Sequence, residues 1–172
     1  VGWSVNDISN TLQLVKAGNI SCLKNVIDEG FDSSWCPEES GITIAMVASQ
    51  HGRTDIIDYF MTEVGADFSA CDESGMNSLH YAAQFTRKDI VPLLLSAGDK
   101  AKESCSLSKS LITVQDKRGC TPIHYCAQYG STLSFELLAR DEMCAAALLK
   151  DGDGFTPLLT ACKFKQSSKI SE

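Results

Sequence analysis

Histidines, cysteines and aspartates are the groups from which this 172-residue chain could build a reaction centre, and their spacing does not assemble one. His80 and His124 each precede a tyrosine, and Asp72, Asp116 and Asp151 each stand just ahead of a glycine-led segment. General acid–base work needs two such groups within hydrogen-bond reach of one reacting atom. The aspartates instead open turns, where a carboxylate caps local N–H groups, and they form no convergent pair. Cys120 and Tyr125 have no deducible base beside them. Gly152-Asp153-Gly154 is a turn, and no phosphate-cradling G-x-x-x-x-G-K loop is present. The eight cysteines contain no C-x-x-C pair, and none lies at zinc-ligand spacing with a histidine. The chain is therefore expected to be no enzyme and to need neither cofactor nor metal.

Composition narrows the remaining classes. A net charge of −7 opposes nucleic-acid binding, which requires a basic stripe. No run of about 18 apolar residues exists, so this segment inserts in no membrane. Cysteines without a pairing framework suit reduced thiols in an intracellular compartment, cytoplasmic or nuclear. Cys126 and Cys162 fall in columns of small residues and are expected to be buried. The chain begins at Val1 with no charged-then-apolar leader, as a segment cut from a longer protein would.

The elements that must position these residues are visible as a repeat. Four glycine-led segments align: Gly41-Ile-Thr-Ile-Ala-Met-Val-Ala, Gly75-Met-Asn-Ser-Leu-His-Tyr-Ala, Gly119-Cys-Thr-Pro-Ile-His-Tyr-Cys and Gly154-Phe-Thr-Pro-Leu-Leu-Thr-Ala, spaced 34, 44 and 35 residues apart. A period of about 33 with a T-P-L-H-x-A core is the mark of ankyrin repeats, and the chain resembles that family along most of its length. The resemblance implies an all-α ankyrin-repeat solenoid of helix-turn-helix units joined by hairpin turns. Residues 1–172 form a single domain, with a cap repeat at 1–40 and full repeats at 41–74, 75–118 and 119–153. The last repeat, 154–172, is incomplete. Its first helix should run to about Phe164 and a second should begin near Ser168, so further sequence is expected to follow. Paired helices should start near Asn6, with turns near 31–42, 66–76 and 114–120 and no extended sheet.

Each unit also makes local sense. Thr43, Asn77, Thr121 and Thr156 are N-cap residue types, and Pro122 and Pro157 follow at the first helical position. Gly52 and Gly130 suit left-handed helix ends. Second-helix stripes read Ile56, Ile57, Phe60, then Ile90, Leu93, Leu94, then Phe135, Leu137, Leu138. Upstream, Gly18-Asn19, Leu23, Val26, Ile27 and Gly30-Phe31-Asp32 match the later part of one more unit. Its first helix is about Asp7 to Lys16, with Trp3 beside it. Departures are equally specific. Met46 replaces the histidine in the first full unit, Thr86 replaces the interhelix glycine, and Pro92 should kink or delay its helix. An insertion of about eleven residues, placed at 99–113, reads as an exposed serine- and lysine-bearing loop. It is either a tolerated insertion or a regulatory or partner-contacting one.

In the ankyrin family the T-P-L-H histidine faces inward and bonds backbone, which assigns His80 and His124 to structure. The resemblance further implies that partners bind the concave face, formed by the hairpins and the exposed side of the first helices. The columns expected there are the rings His51, Phe85, Tyr129 and Phe164, beside Gln50, Gln84, Gln128 and Lys163. On the hairpin arm they are Ile42, Met76, Cys120 and Phe155. Apolar side chains on a wet surface mark a binding patch, although the same rings could instead pack one repeat on the next. The acidic turns at 38–39, 72–73 and 151–153 would favour basic or neutral partners. The expected function is a monomeric protein-interaction module that takes a peptide or partner surface. The alternative is a regulatory or substrate-recruiting domain of a larger palmitoyltransferase, kinase or ion channel.

Overall fold

A computed structural model describes residues 5–32, 40–96, 111–130 and 144–170. The helices are α1 (Val5–Ala17), α2 (Ile20–Asp28), α3 (Ile44–His51), α4 (Thr54–Tyr59), α5 (Ser78–Gln84), α6 (90–96), α7 (Pro122–Tyr129), α8 (Cys144–Leu148) and α9 (Pro157–Ile170). A π-helical segment, Phe60–Val64, prolongs α4 and ends at Gly65 in the left-handed region. No strand forms among the described residues. The first helices stack in chain order: α1 on α3, α3 on α5, α5 on α7 and α7 on α9.

The caps are those the sequence calls for. Thr43 Oγ1 accepts from the Met46 N–H, and Asn77 Oδ1 accepts from the N–H groups of Leu79 and His80. Each satisfies donors that the first turn of a helix leaves without partners. Small residues line the contact between stacked helices: Ala48, Ala82 and Ala83 are fully buried, and Cys126 nearly so. Leu23, Ile56, Ile57, Phe60, Ile90, Leu94 and Ile123 complete one continuous core. Phe135, Leu137, Leu138, Trp3 and most of the 99–113 insertion lie outside the described residues.

Interhelix turns follow one plan. At the end of α3 the Gly52 N–H donates to Ser49 O and the Arg53 N–H to Ala48 O; Thr86 and Arg87 repeat this on Ala83 O and Ala82 O. Thr86 therefore occupies the left-handed region, φ 56°, without being glycine. The arginine that follows explains the glycine elsewhere. Arg53 Nε donates to Lys16 O at 2.9 Å and Arg87 Nε to Gln50 O at 2.8 Å, each reaching back to the preceding unit. A Cβ on Gly52 would lie 3.1 Å from Arg87 Cδ, and one on Gly18 would lie 3.2 Å from Arg53 Cδ. In the sequence, the position after Gly130 that corresponds to Arg53 and Arg87 is Ser131, not arginine.

Two expectations are corrected. Helix α9 runs unbroken from Pro157 to Ile170 instead of ending near Phe164. The interhelix glycine column falls on Lys165, a good helix former with no left-handed preference, so nothing stops the helix. Cys162 is exposed, not buried, because among the described residues no further first helix covers α9 as α9 covers α7. Leu158 is exposed for the same reason, although Ala45, Leu79 and Ile123 in its column are core. Pro92 produces the late start: α6 begins at Ile90, whereas the register of α4 would start it at residue 88.

Candidate functional site

The hairpins join successive units, and their aspartates are consumed in building them. Asp72 Oδ1 accepts from the N–H groups of Ser74 and Met76, while Tyr81 Oη donates to Asp72 Oδ2 at 2.7 Å. Asp116 repeats this with the N–H groups of Arg118 and Cys120 and with Tyr125 Oη at 2.6 Å. Burial and the adjoining carboxylate push both phenols well above the ordinary tyrosine range. Both aspartates are buried. This corrects part of the acidic-rim expectation: Asp72 is internal, as is Asp116 in the next turn, and Asp151 is half-buried, leaving Glu73 and Asp153 exposed beside the equally exposed Lys117 and Arg118, while residues 38–39 lie outside the described residues. The spacing of Asp and Tyr by nine residues, twice over, was the signal for this pairing.

The histidines are structural linkers. His80 Nδ1 accepts the Asn77 N–H at 3.2 Å, and Nε2 lies 3.2 Å from Cys120 O in the next unit. His124 does the same with the Thr121 N–H at 3.1 Å and Phe155 O at 3.0 Å. The ring is thus neutral, with its proton on Nε2. Burial pushes His80 down to about 4 and lowers His124. In the first full unit Met46 Sδ accepts from the Thr43 N–H at 3.4 Å and keeps the cap without the cross-unit bond.

The expected contact residues divide into two groups. Phe85, Tyr129 and Phe164 are 37%, 47% and 37% exposed, each ten residues past its leading glycine on successive first helices. Tyr129 stacks on Tyr125 of the same helix, ring centroids 6.4 Å apart and planes 5° apart. His51 is half-buried, with Nδ1 3.0 Å from Val47 O, so its ring is turned back on its own helix. Gln50, Gln84 and Gln128 are half-buried alongside. On the hairpin arm, Phe155 is half-buried with Lys163 Nζ 4.5 Å from its ring centroid, and Ile42 packs partly against the core.

Met76 and Cys120 are corrected: both are buried and belong to the core. The hairpin of each following unit folds over them. The Lys117 N–H donates to Ser74 O and the Gly152 N–H to Arg118 O, drawing adjacent hairpins together. Burial drives the Cys120 thiol up to about 11, and Cys126 up to about 12, so neither is a nucleophile at neutral pH. Cys22, Cys71, Cys120, Cys126 and Cys162 are free thiols, and no cluster of possible metal ligands occurs among the described residues. No described helix is long and apolar enough to cross a membrane.

A stack of helical hairpins with caps, left-handed turns and inter-hairpin bonds at a constant register defines a repeat-based recognition scaffold. The profile of ankyrin repeats, in three copies, matches residues 12–105, and the chain belongs to the ankyrin-repeat family. Among curated proteins it is similar to the Neurogenic locus Notch protein of Drosophila melanogaster, 34% identical over 109 residues, covering 63% of this chain and 4% of that protein. It is also similar to Palmitoyltransferase AKR1 of Lachancea kluyveri, 29% identical over 141 residues, covering 81% of this chain and 18% of that protein. The Neurogenic locus notch homolog protein 1 of Danio rerio is 27% identical over 125 residues, covering 73% of this chain and 5% of that protein. The chain thus spans less than a fifth of the length of these relatives.

Proposed function

We propose that this chain is a protein-interaction module whose concave face takes a peptide or a partner surface. Phe85, Tyr129 and Phe164 carry the proposal: three exposed rings recur at one register on successive first helices, where folding alone leaves them accessible to water. Aromatic residues are enriched among binding hot spots, and truncating a central one typically costs about 2 kcal/mol or more. Gln84 and Gln128 flank them and supply hydrogen bonds that fix register. No reaction is assigned to these residues, and the module acts as a monomer in an intracellular compartment. The small share of each relative that the chain spans, one of them named a palmitoyltransferase, supports a wider setting. The module then recruits substrates or regulators for a longer protein. The test is Phe85→Ala and Tyr129→Ala, each measured for partner affinity and for thermal stability. Lost affinity with unchanged melting supports the reading; lost stability with intact affinity assigns the rings to packing and removes this face.

A further inference from the structure

Spacing, hydrogen-bond supply and charge along the concave face together select one kind of partner, on the reading that this face is the binding site. The rings of Phe85, Tyr129 and Phe164 stand on stacked helices, and stacked helices lie about 8–10 Å apart. A polyproline II segment rises about 3.1 Å per residue, so every third side chain recurs at about 9.3 Å. An extended strand repeats on one side about every 6.8 Å and falls out of step after one unit. An α-helix matches the spacing once per heptad, about 10.5 Å, but its backbone groups are already bonded within itself.

The glutamines decide between the polyproline II segment and the α-helix. Gln50, Gln84 and Gln128 are half-buried at one register, and no hydrogen bond reaches their side-chain amides among the described residues. Each amide offers a donor and an acceptor, and a polyproline II backbone, which makes no internal hydrogen bonds, is the form that can use them. Charge supplies the direction. Lys117 and Arg118 are exposed on the hairpin leading into α7, and Lys163 and Lys165 are exposed on α9, against Glu73 and Asp153. Among the described residues that half of the face sets these four basic side chains against Asp151 and Asp153, in a chain whose net charge is −7.

We infer that the concave face binds an extended polyproline II segment that places a proline or aliphatic side chain between successive rings at every third residue and sets acidic residues over the α7–α9 half. Selection of a random dodecapeptide display library against this protein tests it, followed by anisotropy titrations with the enriched peptides. The expected result is enrichment of proline or aliphatic residues at three-residue intervals with acidic residues toward one end. Binding should weaken about tenfold or more in Tyr129→Ala, and severalfold in Gln128→Leu and in the double variant Lys117→Glu, Arg118→Glu, with melting temperatures unchanged. Peptides with alternating or amphipathic-helix patterns that remain sensitive to Tyr129→Ala overturn this inference while leaving the concave site in place. Peptides indifferent to both Phe85→Ala and Tyr129→Ala overturn the site and the inference together. Failure to enrich any peptide overturns the inference.

Discussion

Acidification should destabilise the stack through His80, by an amount the geometry sets. The ring is buried, accepts the Asn77 N–H and faces Cys120 O with its one proton. Its folded pKa of about 4 lies below the ordinary value of 6.5. The shift is downward, so the contribution is intact above pH 6.5 and is lost as pH falls toward 4, where the unfolded chain takes up a proton that the folded one refuses. At about 1.4 kcal/mol per unit, the loss is about 2 kcal/mol at pH 5 and levels off at about 3 kcal/mol near pH 4. The perturbation is His80→Gln. Glutamine at the third helical position can still accept the N-cap N–H, has no titrating group, and gives up the cross-unit bond at a cost of about 1 kcal/mol. Denaturant midpoints at pH 7, 6 and 5 and constant ionic strength then compare the two proteins, with other titrating groups cancelling in the difference. The variant should be weaker at pH 7 and lose less on acidification, so that the two curves cross between pH 6 and pH 5. Parallel curves from pH 7 to 5 would refute the assignment of a neutral, buried His80.

Thr86→Gly should raise stability by about 1 kcal/mol: it relieves a left-handed β-branched residue, worth about 1–2 kcal/mol, and gives back part of that in chain entropy. An unchanged or lower melting temperature would contradict it. Gly119 and Gly130 form a matched pair, φ 75° and 71°, of which only Gly119 would press a Cβ onto the neighbouring hairpin, 2.7 Å from the Gly152 nitrogen. Gly130→Ala should therefore cost only the left-handed penalty of about 1 kcal/mol, and Gly119→Ala at least twice as much; equal losses in urea unfolding would deny the close approach of hairpins.

Helix positions, caps and second-helix stripes were legible because each depends on residues a few places apart. Gly52, Thr43 and the Ile56–Ile57–Phe60 stripe carry their reasons with them. What escaped depends on the neighbouring unit. Met76 and Cys120 look like surface residues within their own hairpins, and only the next hairpin, bonded through Lys117 and Gly152, buries them. The exposure of Cys162 likewise reflects what does not lie against α9 among the described residues, not its own column. Asp72 reads as rim charge within its own turn because the Tyr81 hydroxyl that claims it stands nine residues on, as Tyr125 does from Asp116. The break expected after Phe164 does not occur, because Lys165 stands where the other units carry glycine or the left-handed Thr86 and the helix continues through it.

The bonds that join one unit to the next share a property with evolutionary weight. His80, His124, Arg53 and Arg87 all direct their N–H groups at main-chain carbonyls of an adjacent unit. A carbonyl is supplied by whatever residue stands there, so the linkage asks nothing of its partner's identity. A unit can be duplicated, exchanged or drift in sequence without a matching substitution next door. Side chains on the open face are then free to change with the partner while the joints stay as they are.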